Sequence, residues 1–66
     1  MQNTIKTRRT DLRWSQAELG EPLGVSRQTV IAIENDKYDP SLPVAFKLAA
    51  VFGASIEDLF TPAAEE

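Results

Sequence analysis

Apolar residues recur at helical spacing in five separate stretches of the chain. In the fourth stretch they follow the i, i+3, i+4, i+7 rule of an amphipathic helix, and in the others they lie three, four or seven residues apart. In chain order, the apolar positions are Ile5 and Leu12; Leu19 and Leu23; Val30 and Ile33; Ala45, Leu48, Ala49 and Phe52; and Ile56, Leu59 and Phe60. The pattern predicts a compact all-α domain of five helices around one core.

Capping residues set the predicted boundaries of these helices. A serine precedes each of helices two to five, and its side-chain oxygen can accept a hydrogen bond from the first turn. Asn3 or Thr4 has this position in helix one, which we expect to run to about Arg13. A residue with positive φ is expected to end helices two to four. The serine caps are Ser15, Ser26, Ser41 and Ser55, and the ending residues are Gly24, Asn35 or Asp36, and Gly53.

The second helix contains two residues that weaken a helix. Pro22 has no N–H to donate to Glu18, so we expect the helix to end early or to bend there. Gly20 lowers helix stability by about 1 kcal/mol relative to alanine, but its missing side chain would let helices two and three approach closely. Trp14 follows the first helix and is expected to pack over the junction of helices one and two.

Helices two and three are joined by a short turn that contains a glycine, which is the helix-turn-helix pattern. In that pattern the second helix enters the DNA major groove. Arginine can bond guanine, glutamine can bond adenine, and threonine or alanine can contact the methyl group of thymine. The outward face of helix three carries Arg27, Gln28, Thr29, Ile31 and Ala32. A polar helix start alone is more often solvated surface, but the paired caps, the small residue at Gly20 and the turn glycine favour base reading.

Length and composition limit the classes of function. Sixty-six residues make one domain, which we place at residues 1–60, followed by a frayed acidic tail at residues 61–66. The chain has no cysteine and no histidine, which excludes disulfides, zinc fingers, thiol nucleophiles and imidazole bases. We therefore expect no cofactor and no metal. No apolar stretch is long enough to span a membrane and no signal peptide is evident, so a cytoplasmic location is expected.

Charge is unevenly distributed along the chain, whose net charge is −3. Residues 1–33 carry five basic and three acidic side chains, a net charge of +2, whereas residues 34–66 carry two basic and seven acidic side chains, a net charge of −5. This polarity would orient the first half of the chain on DNA phosphates, and the low total charge predicts weak non-specific binding by a single copy.

Five segments of the chain resemble the Cro/CI-type (XRE) helix-turn-helix transcriptional regulators. These segments are SQAELG at residues 15–20, GVSRQTV at 24–30, IEN at 33–35, YDPSLP at 38–43 and FGASIEDLF at 52–60. Together their order and spacing are specific, and the similarity covers nearly the whole chain, from Ile5 to Phe60. It implies a five-helix lambda-repressor-like domain, similar to the small stand-alone members, that binds operator DNA as a homodimer. Pro22 and Asp36 depart from the family pattern, in which a helix former and a glycine are usual.

The resemblance also implies roles for individual residues. Arg27 and Gln28 would read bases, with Ala32 one turn further along the same face. Ile31 replaces a commonly polar residue and is expected to meet a thymine methyl group. The residues expected to hold or position phosphates are Ser15, Gln16, Thr29, Asn35 and Lys37.

A partly buried ion pair is expected between Arg9 and Glu34. Arg9 lies beside the apolar stripe of helix one and needs a partner, and Glu34 ends helix three. The alternative is two solvated charges. The same two positions match a structural ion pair in the family that the chain resembles.

These observations predict a sequence-specific double-stranded-DNA-binding transcriptional regulator without a small-molecule effector. We expect a repressor that acts as a homodimer on a pseudo-palindromic operator. Two phenylalanines in so small a domain suggest an interface, unless both are core, and the expected interface residues are Phe46, Ile56, Glu57 and Phe60.

Two other classes of function were weighed against this prediction. The rival is a protein-interaction module, antitoxin-like or adaptor, with the same fold and weak DNA affinity. An enzyme has little support because the clustered carboxylates lie on the last helix and the tail, without a pocket-forming partner. Those carboxylates are Glu57, Asp58, Glu65 and Glu66.

Overall fold

The structure is a computed structural model that describes residues 2–61, and it contains the five predicted helices. They are α1 (Ile5–Asp11), α2 (Gln16–Leu23), α3 (Arg27–Glu34), α4 (Leu42–Phe52) and α5 (Ile56–Leu59). Two strands of two residues each, β1 (Gln2–Asn3) and β2 (Phe60–Thr61), pair antiparallel, with Gln2 opposite Thr61 and Asn3 opposite Phe60. The predicted all-α class is confirmed, and this short ladder is an addition to it.

Serine caps begin four of the helices, as predicted. Each serine side chain accepts a hydrogen bond from the N–H of the third residue of the helix that follows. In α2 and α5 the third residue, Glu18 or Asp58, also accepts from the N–H of the serine, which completes a capping box. The four caps are Ser15, Ser26, Ser41 and Ser55.

The first helix begins as predicted but ends earlier. Of the two predicted capping residues, Asn3 supplies the side-chain contact, because its oxygen accepts from the Ile5 N–H at 3.0 Å, whereas Thr4 is the N-cap residue but its side chain does not cap. The helix ends at Asp11 rather than near Arg13, which has a φ of 62°. Leu12, the next residue, keeps helical backbone angles but is 47% exposed, so its predicted place on the buried stripe is wrong.

One core is formed by residues from all five helices and from β2. Trp14 packs against it from the α1–α2 junction and is half-buried, as predicted. On α4, the predicted core face is present, with Leu48 fully buried. The buried apolar side chains are Ile5, Leu19, Leu23, Val30, Ile33, Ala45, Leu48, Leu59 and Phe60.

The predicted end of the chain is corrected at two residues. Phe60 was expected on α5, but it is the first residue of β2 and is only 7% exposed. Thr61 was expected in the acidic tail, yet it pairs with Gln2. The rest of that tail, residues 62–66, lies outside the described residues. Between residues 2 and 61, no helix has the length and apolar character that crossing a membrane requires.

Candidate nucleic-acid interface

The turn between α2 and α3 brings the two helices together at Gly20. The N–H of Gly24, whose φ is 71°, donates to the carbonyls of Glu21 and Gly20, and the Val25 N–H donates to Gly20 at 3.1 Å. A Cβ atom at position 20 would lie 2.6 Å from the Val25 carbonyl oxygen and 3.5 Å from Val30 Cγ2. Since real Cβ atoms essentially never approach another atom within 3.0 Å, this contact requires glycine, and the predicted close approach is confirmed.

Pro22 lies inside α2, which continues to Leu23. Of the two alternatives that the sequence left open, early termination before the proline is therefore wrong. The proline side chain is exposed, and Leu23 beside it is fully buried in the core. Helix α2 thus keeps its buried face despite the missing N–H.

Helix α3 turns its first two residues, Arg27 and Gln28, toward solvent. Its buried residues, Val30 and Ile33, lie on the opposite face and anchor it to the core. Among the other predicted reading residues, Ile31 and Ala32 are half-buried, so they offer less surface than the pair at the helix start.

A buried polar network fixes α3 to α1 and α2. The predicted Arg9–Glu34 pair is present, with Arg9 Nε 2.6 Å from Glu34 Oε2 and Arg9 Nη2 3.3 Å from Glu34 Oε1. A further guanidinium nitrogen of Arg9 donates to the Trp14 carbonyl at 2.7 Å. The side chains of Arg9 and Glu34 are only 9% and 2% exposed. A bidentate pair with so little water contact holds the two helices in one orientation.

Gln16 belongs to the same network. Its side-chain amide donates to Glu34 Oε1 at 3.2 Å, so one predicted phosphate-contacting residue is oriented by the carboxylate at the end of α3. Ser15, the other predicted phosphate residue at this end, is exposed, and its oxygen accepts from Glu18. Thr29 is half-buried and its hydroxyl lies 3.1 Å from the hydroxyl of Ser26.

The loop after α3 is held by a contact that the sequence did not predict. Asp36 has a φ of 59°, which confirms the expected positive φ at one of the two alternative positions. The Asn3 side-chain amide donates to the Ile33 carbonyl and to Asp36 Oδ1, both at 2.8 Å. This places the Asp36 carboxylate against β1, while Asn35 and Lys37 remain exposed. Sequence spacing contains no signal for this contact, because its partners are 33 residues apart.

Tyr38 is a further residue of this surface, and the sequence pattern does not predict it there. It is 48% exposed and lines a shallow pocket together with Gln28, Thr29 and Ala32 of α3. The pocket therefore includes two residues predicted to read bases and one predicted to position phosphate. The only sequence signal was an aromatic residue in a polar loop.

The predicted dimer residues occupy different environments. Phe46 is 58% exposed, and Leu42, one turn earlier on α4, is 64% exposed. Ile56 is half-buried and Glu57 is exposed. The expected exposure of Phe60 is wrong, because its side chain packs in the core. Leu42 was not predicted at the interface, although its spacing of four residues from Phe46 was visible in the sequence.

Fold and surface together define a class of protein: a small helical domain with a helix-turn-helix whose second helix presents a polar, exposed start. The chain matches the family model described as Helix-turn-helix over residues 5–59. It therefore belongs to the Cro/CI-type (XRE) helix-turn-helix family, as its sequence segments predicted.

Relatives of similar length carry regulator names. An uncharacterized HTH-type transcriptional regulator of Methanocaldococcus jannaschii is 55% identical over 60 residues, which are 91% of each chain. The uncharacterized HTH-type transcriptional regulator YgzD of Bacillus subtilis is 47% identical over 60 residues, again 91% of each chain.

Solved structures contain the same fold within longer chains. The match to the SinR protein/SinI protein complex has a TM-score of 0.76 and 31% identity and covers 92% of this chain and 60% of that one. Hydroxypropylphosphonic acid epoxidase from S. wedmorenis matches with a TM-score of 0.77 and 34% identity over 91% of this chain. This chain spans only 32% of that enzyme, so the likeness concerns one part of it.

Proposed function

We propose that the protein binds double-stranded DNA sequence-specifically and regulates transcription, and that it acts as a repressor by occupying its operator. The observation that carries the proposal is the exposed start of α3, where Arg27 and Gln28 face solvent on a helix anchored by Val30 and Ile33. Arginine and glutamine are the side chains that bond guanine and adenine edges in two places at once. The regulator names of the relatives support the same function.

Rigid support of the reading helix favours specific binding. Arg9 and Gln16 both bond Glu34 at the end of α3, and Gly20 allows α2 to lie close against its start. A helix held at both ends loses little freedom on binding, so its contacts contribute more fully to affinity. Phosphate contacts by neighbouring residues would set the register of the helix on DNA. The residues we propose for those contacts are Ser15, Gln16, Thr29, Asn35 and Lys37.

We propose that the regulator acts as a homodimer. A single module buries about 600–1,000 Å² on DNA, which is the low end of specific interfaces. Two-fold symmetry then requires a pseudo-palindromic operator with half-sites about 34 Å apart. The exposed apolar pair Phe46 and Leu42 supports an interface at the start of α4, with Ile56 and Glu57 as further members.

Binding rather than catalysis is the proposed activity, and residues 1–60 are the proposed DNA-binding domain. The family match at residues 5–59 lies within this domain. No small-molecule effector or cofactor is part of the proposal. We also propose a cytoplasmic location, where a DNA-binding regulator of this kind would meet its operator.

The test is selection of bound sequences from a random duplex library at two salt concentrations. We expect an inverted repeat to be enriched, with weaker recovery at high salt because phosphate contacts release counterions. Arg27→Ala should weaken operator binding by about 1–3 kcal/mol and relax the preference at one base pair. Lys6→Ala is the matched control, since it removes one exposed positive charge from α1 rather than from α3. Equal losses from both variants on every sequence would contradict base reading by Arg27.

A protein-interaction module is the second candidate function, and the exposed Leu42–Phe46 pair is the observation that favours it. Such a module would enrich no DNA sequence at either salt concentration. Its binding to a partner would also change little with salt, because an apolar interface is not screened by ions.

A further inference from the structure

The pocket beside α3 has walls suited to a small apolar group. Its volume is about 190 Å³, and it is lined by Gln28, Thr29 and Ala32 of α3 and by Tyr38 of the following loop. Ala32 contributes a methyl group and Tyr38 an aromatic ring. None of the four side chains is charged, so the pocket lacks the cation that would hold a phosphate.

The polar end of Thr29 is already used inside the helix cap. Its hydroxyl lies 3.1 Å from the Ser26 hydroxyl, and its N–H donates to the same oxygen at 3.2 Å. Thr29 also carries a methyl group, which is a third apolar group on the residues that line the pocket, beside those of Ala32 and Tyr38.

Tyr38 is held next to α3 by the backbone on its N-terminal side. The Lys37 N–H donates to the Ala32 carbonyl at 2.9 Å, and the preceding residue, Asp36, is bonded to the side chain of Asn3. Tyr38 is nevertheless 48% exposed as a residue, so core packing does not account for its position. A ring positioned beside the reading face and left open to solvent is available to a ligand.

Thymine presents the one apolar group on base edges in the major groove, its 5-methyl group. We propose that this pocket receives the methyl group of one operator thymine in each half-site, and that Tyr38 is a specificity-determining residue that senses it. The inference rests on the proposed function, because that function places the pocket in the groove. Gln28, on the rim, would remain free to bond an adjacent base.

The experiment removes the methyl group from the DNA and the ring from the protein. Each thymine of the selected operator is replaced in turn by deoxyuridine, which lacks only the 5-methyl group, and binding is measured by fluorescence anisotropy. With the wild-type protein we expect one position per half-site at which the replacement weakens binding about fourfold, which is ~0.8 kcal/mol for one buried methyl group.

Variants then assign that sensitivity to Tyr38. Tyr38→Ala should bind the thymine and deoxyuridine duplexes equally at that position, whereas Tyr38→Phe should keep the fourfold ratio because the ring forms the wall. Arg27→Ala should lower affinity for both duplexes and leave their ratio unchanged. Circular dichroism melting confirms that each variant is folded, as expected for an exposed loop residue.

Failure of the inference differs from failure of the proposed function. If wild type binds the operator but no deoxyuridine position matters, or if Tyr38→Ala keeps the ratio, the methyl-sensing inference is overturned while DNA reading stands. A uniform loss by Tyr38→Ala on all duplexes would make Tyr38 a backbone contact and also overturn it. If no duplex sequence is preferred by wild type, both proposals fail.

Discussion

Glu34 receives hydrogen bonds from two other parts of the chain. Its carboxylate accepts from Arg9 of α1 and from Gln16 of α2, while the residue itself ends α3. Because both charges are buried, removing either partner should destabilise the protein strongly. The remaining charge would have lost its hydration without a partner to replace it. The contacts of Glu34 with α1 and α2 also fix the orientation of α3.

We expect Glu34→Leu to lower the free energy of unfolding by about 3 kcal/mol, because the Arg9 guanidinium would stay buried without its carboxylate partner. The double variant Arg9→Met/Glu34→Leu should lose less than the sum of the two single variants, since it leaves no buried charge. Urea denaturation followed by circular dichroism measures all four proteins. Strictly additive losses would show that the two side chains are not coupled.

Substitution of Asn3 should also change DNA binding at the candidate interface. Asn3→Ala removes the amide that bonds Ile33 and Asp36, so we expect operator affinity to fall by about tenfold on all sequences, as the loop with Lys37 loses its anchor. Electrophoretic mobility shift on operator and on scrambled duplexes measures the change.

The variant Asn3→Asp distinguishes the role of the Asn3 side-chain oxygen from that of its amide donor. It keeps an oxygen for the Ile5 N–H but replaces the donor with a charge that repels Asp36. We therefore expect it to weaken DNA binding at least as much as Asn3→Ala does. Wild-type affinity in Asn3→Asp would show that the loop is not held by this contact.

Within α2, two residues that are unfavourable for a helix have opposite consequences. Gly20 is buried against the turn and Pro22 is exposed on the outer face. Helix propensity alone predicts that alanine stabilises at both positions. At Gly20 the close contact with the Val25 carbonyl oxygen outweighs helix propensity, so alanine should destabilise the protein there.

For Gly20→Ala we expect a lower melting temperature, by about 5 °C or more. The new Cβ would lie 2.6 Å from the backbone oxygen of Val25, and a backbone atom cannot move away without displacing the turn. Thermal unfolding followed by circular dichroism is the measurement. A rise in melting temperature would mean that the turn can open at little cost.

For Pro22→Ala we expect a higher melting temperature, by about 4–8 °C, with unchanged operator specificity. Alanine regains an N–H that can donate to Glu18, and it fits an exposed helical position, which outweighs the added freedom of the unfolded chain. Differential scanning calorimetry and repeated selection on the variant test both parts. A fall in melting temperature would show that the packing of Leu23 depends on the proline.

Helical spacing and caps predicted those parts of the fold that local chemistry determines. The serine caps and the glycine at Gly24 depend on neighbours in sequence, so they were readable from it. Phe60 and Thr61 were not, because a ladder of two-residue strands has no periodicity and pairs residues nearly 60 positions apart. Leu12, just past the end of α1, is 47% exposed although its backbone stays helical, so its spacing of seven residues from Ile5 was not enough to predict burial.

In the candidate site, too, the sequence predicted the residues whose positions depend on nearby residues or on one evident ion pair. Arg27 and Gln28 follow a visible cap, and the Arg9–Glu34 pair followed from the need of a semi-buried arginine for a partner. The contribution of Tyr38 required the three-dimensional path of the loop, which sequence spacing does not specify.

At the scale of the whole molecule, charge and symmetry limit how the protein can bind DNA. The net charge is −3, and one of the basic side chains, Arg9, forms a buried ion pair and cannot contact phosphate. A single copy therefore has few cations for phosphates, and its affinity should be weak. Joining two copies raises affinity by making the second contact intramolecular, commonly by a factor of 10²–10⁴. We therefore expect the proposed dimer to matter more for DNA affinity here than it would in a strongly basic domain.

We therefore expect Phe46→Glu to weaken binding to the full operator by about 100-fold while leaving binding to an isolated half-site unchanged, because the charge would be buried between copies. Thr7→Glu is the matched control, since it adds the same charge at an exposed position of another helix, α1. Fluorescence anisotropy on both duplexes gives the affinities, and analytical ultracentrifugation of the complexes gives the number of copies bound. If Phe46→Glu and Thr7→Glu bind the full operator alike, with two cooperative copies, the interface lies away from the start of α4. Equal weakening on the half-site would instead place Phe46 among the residues that support the reading helix.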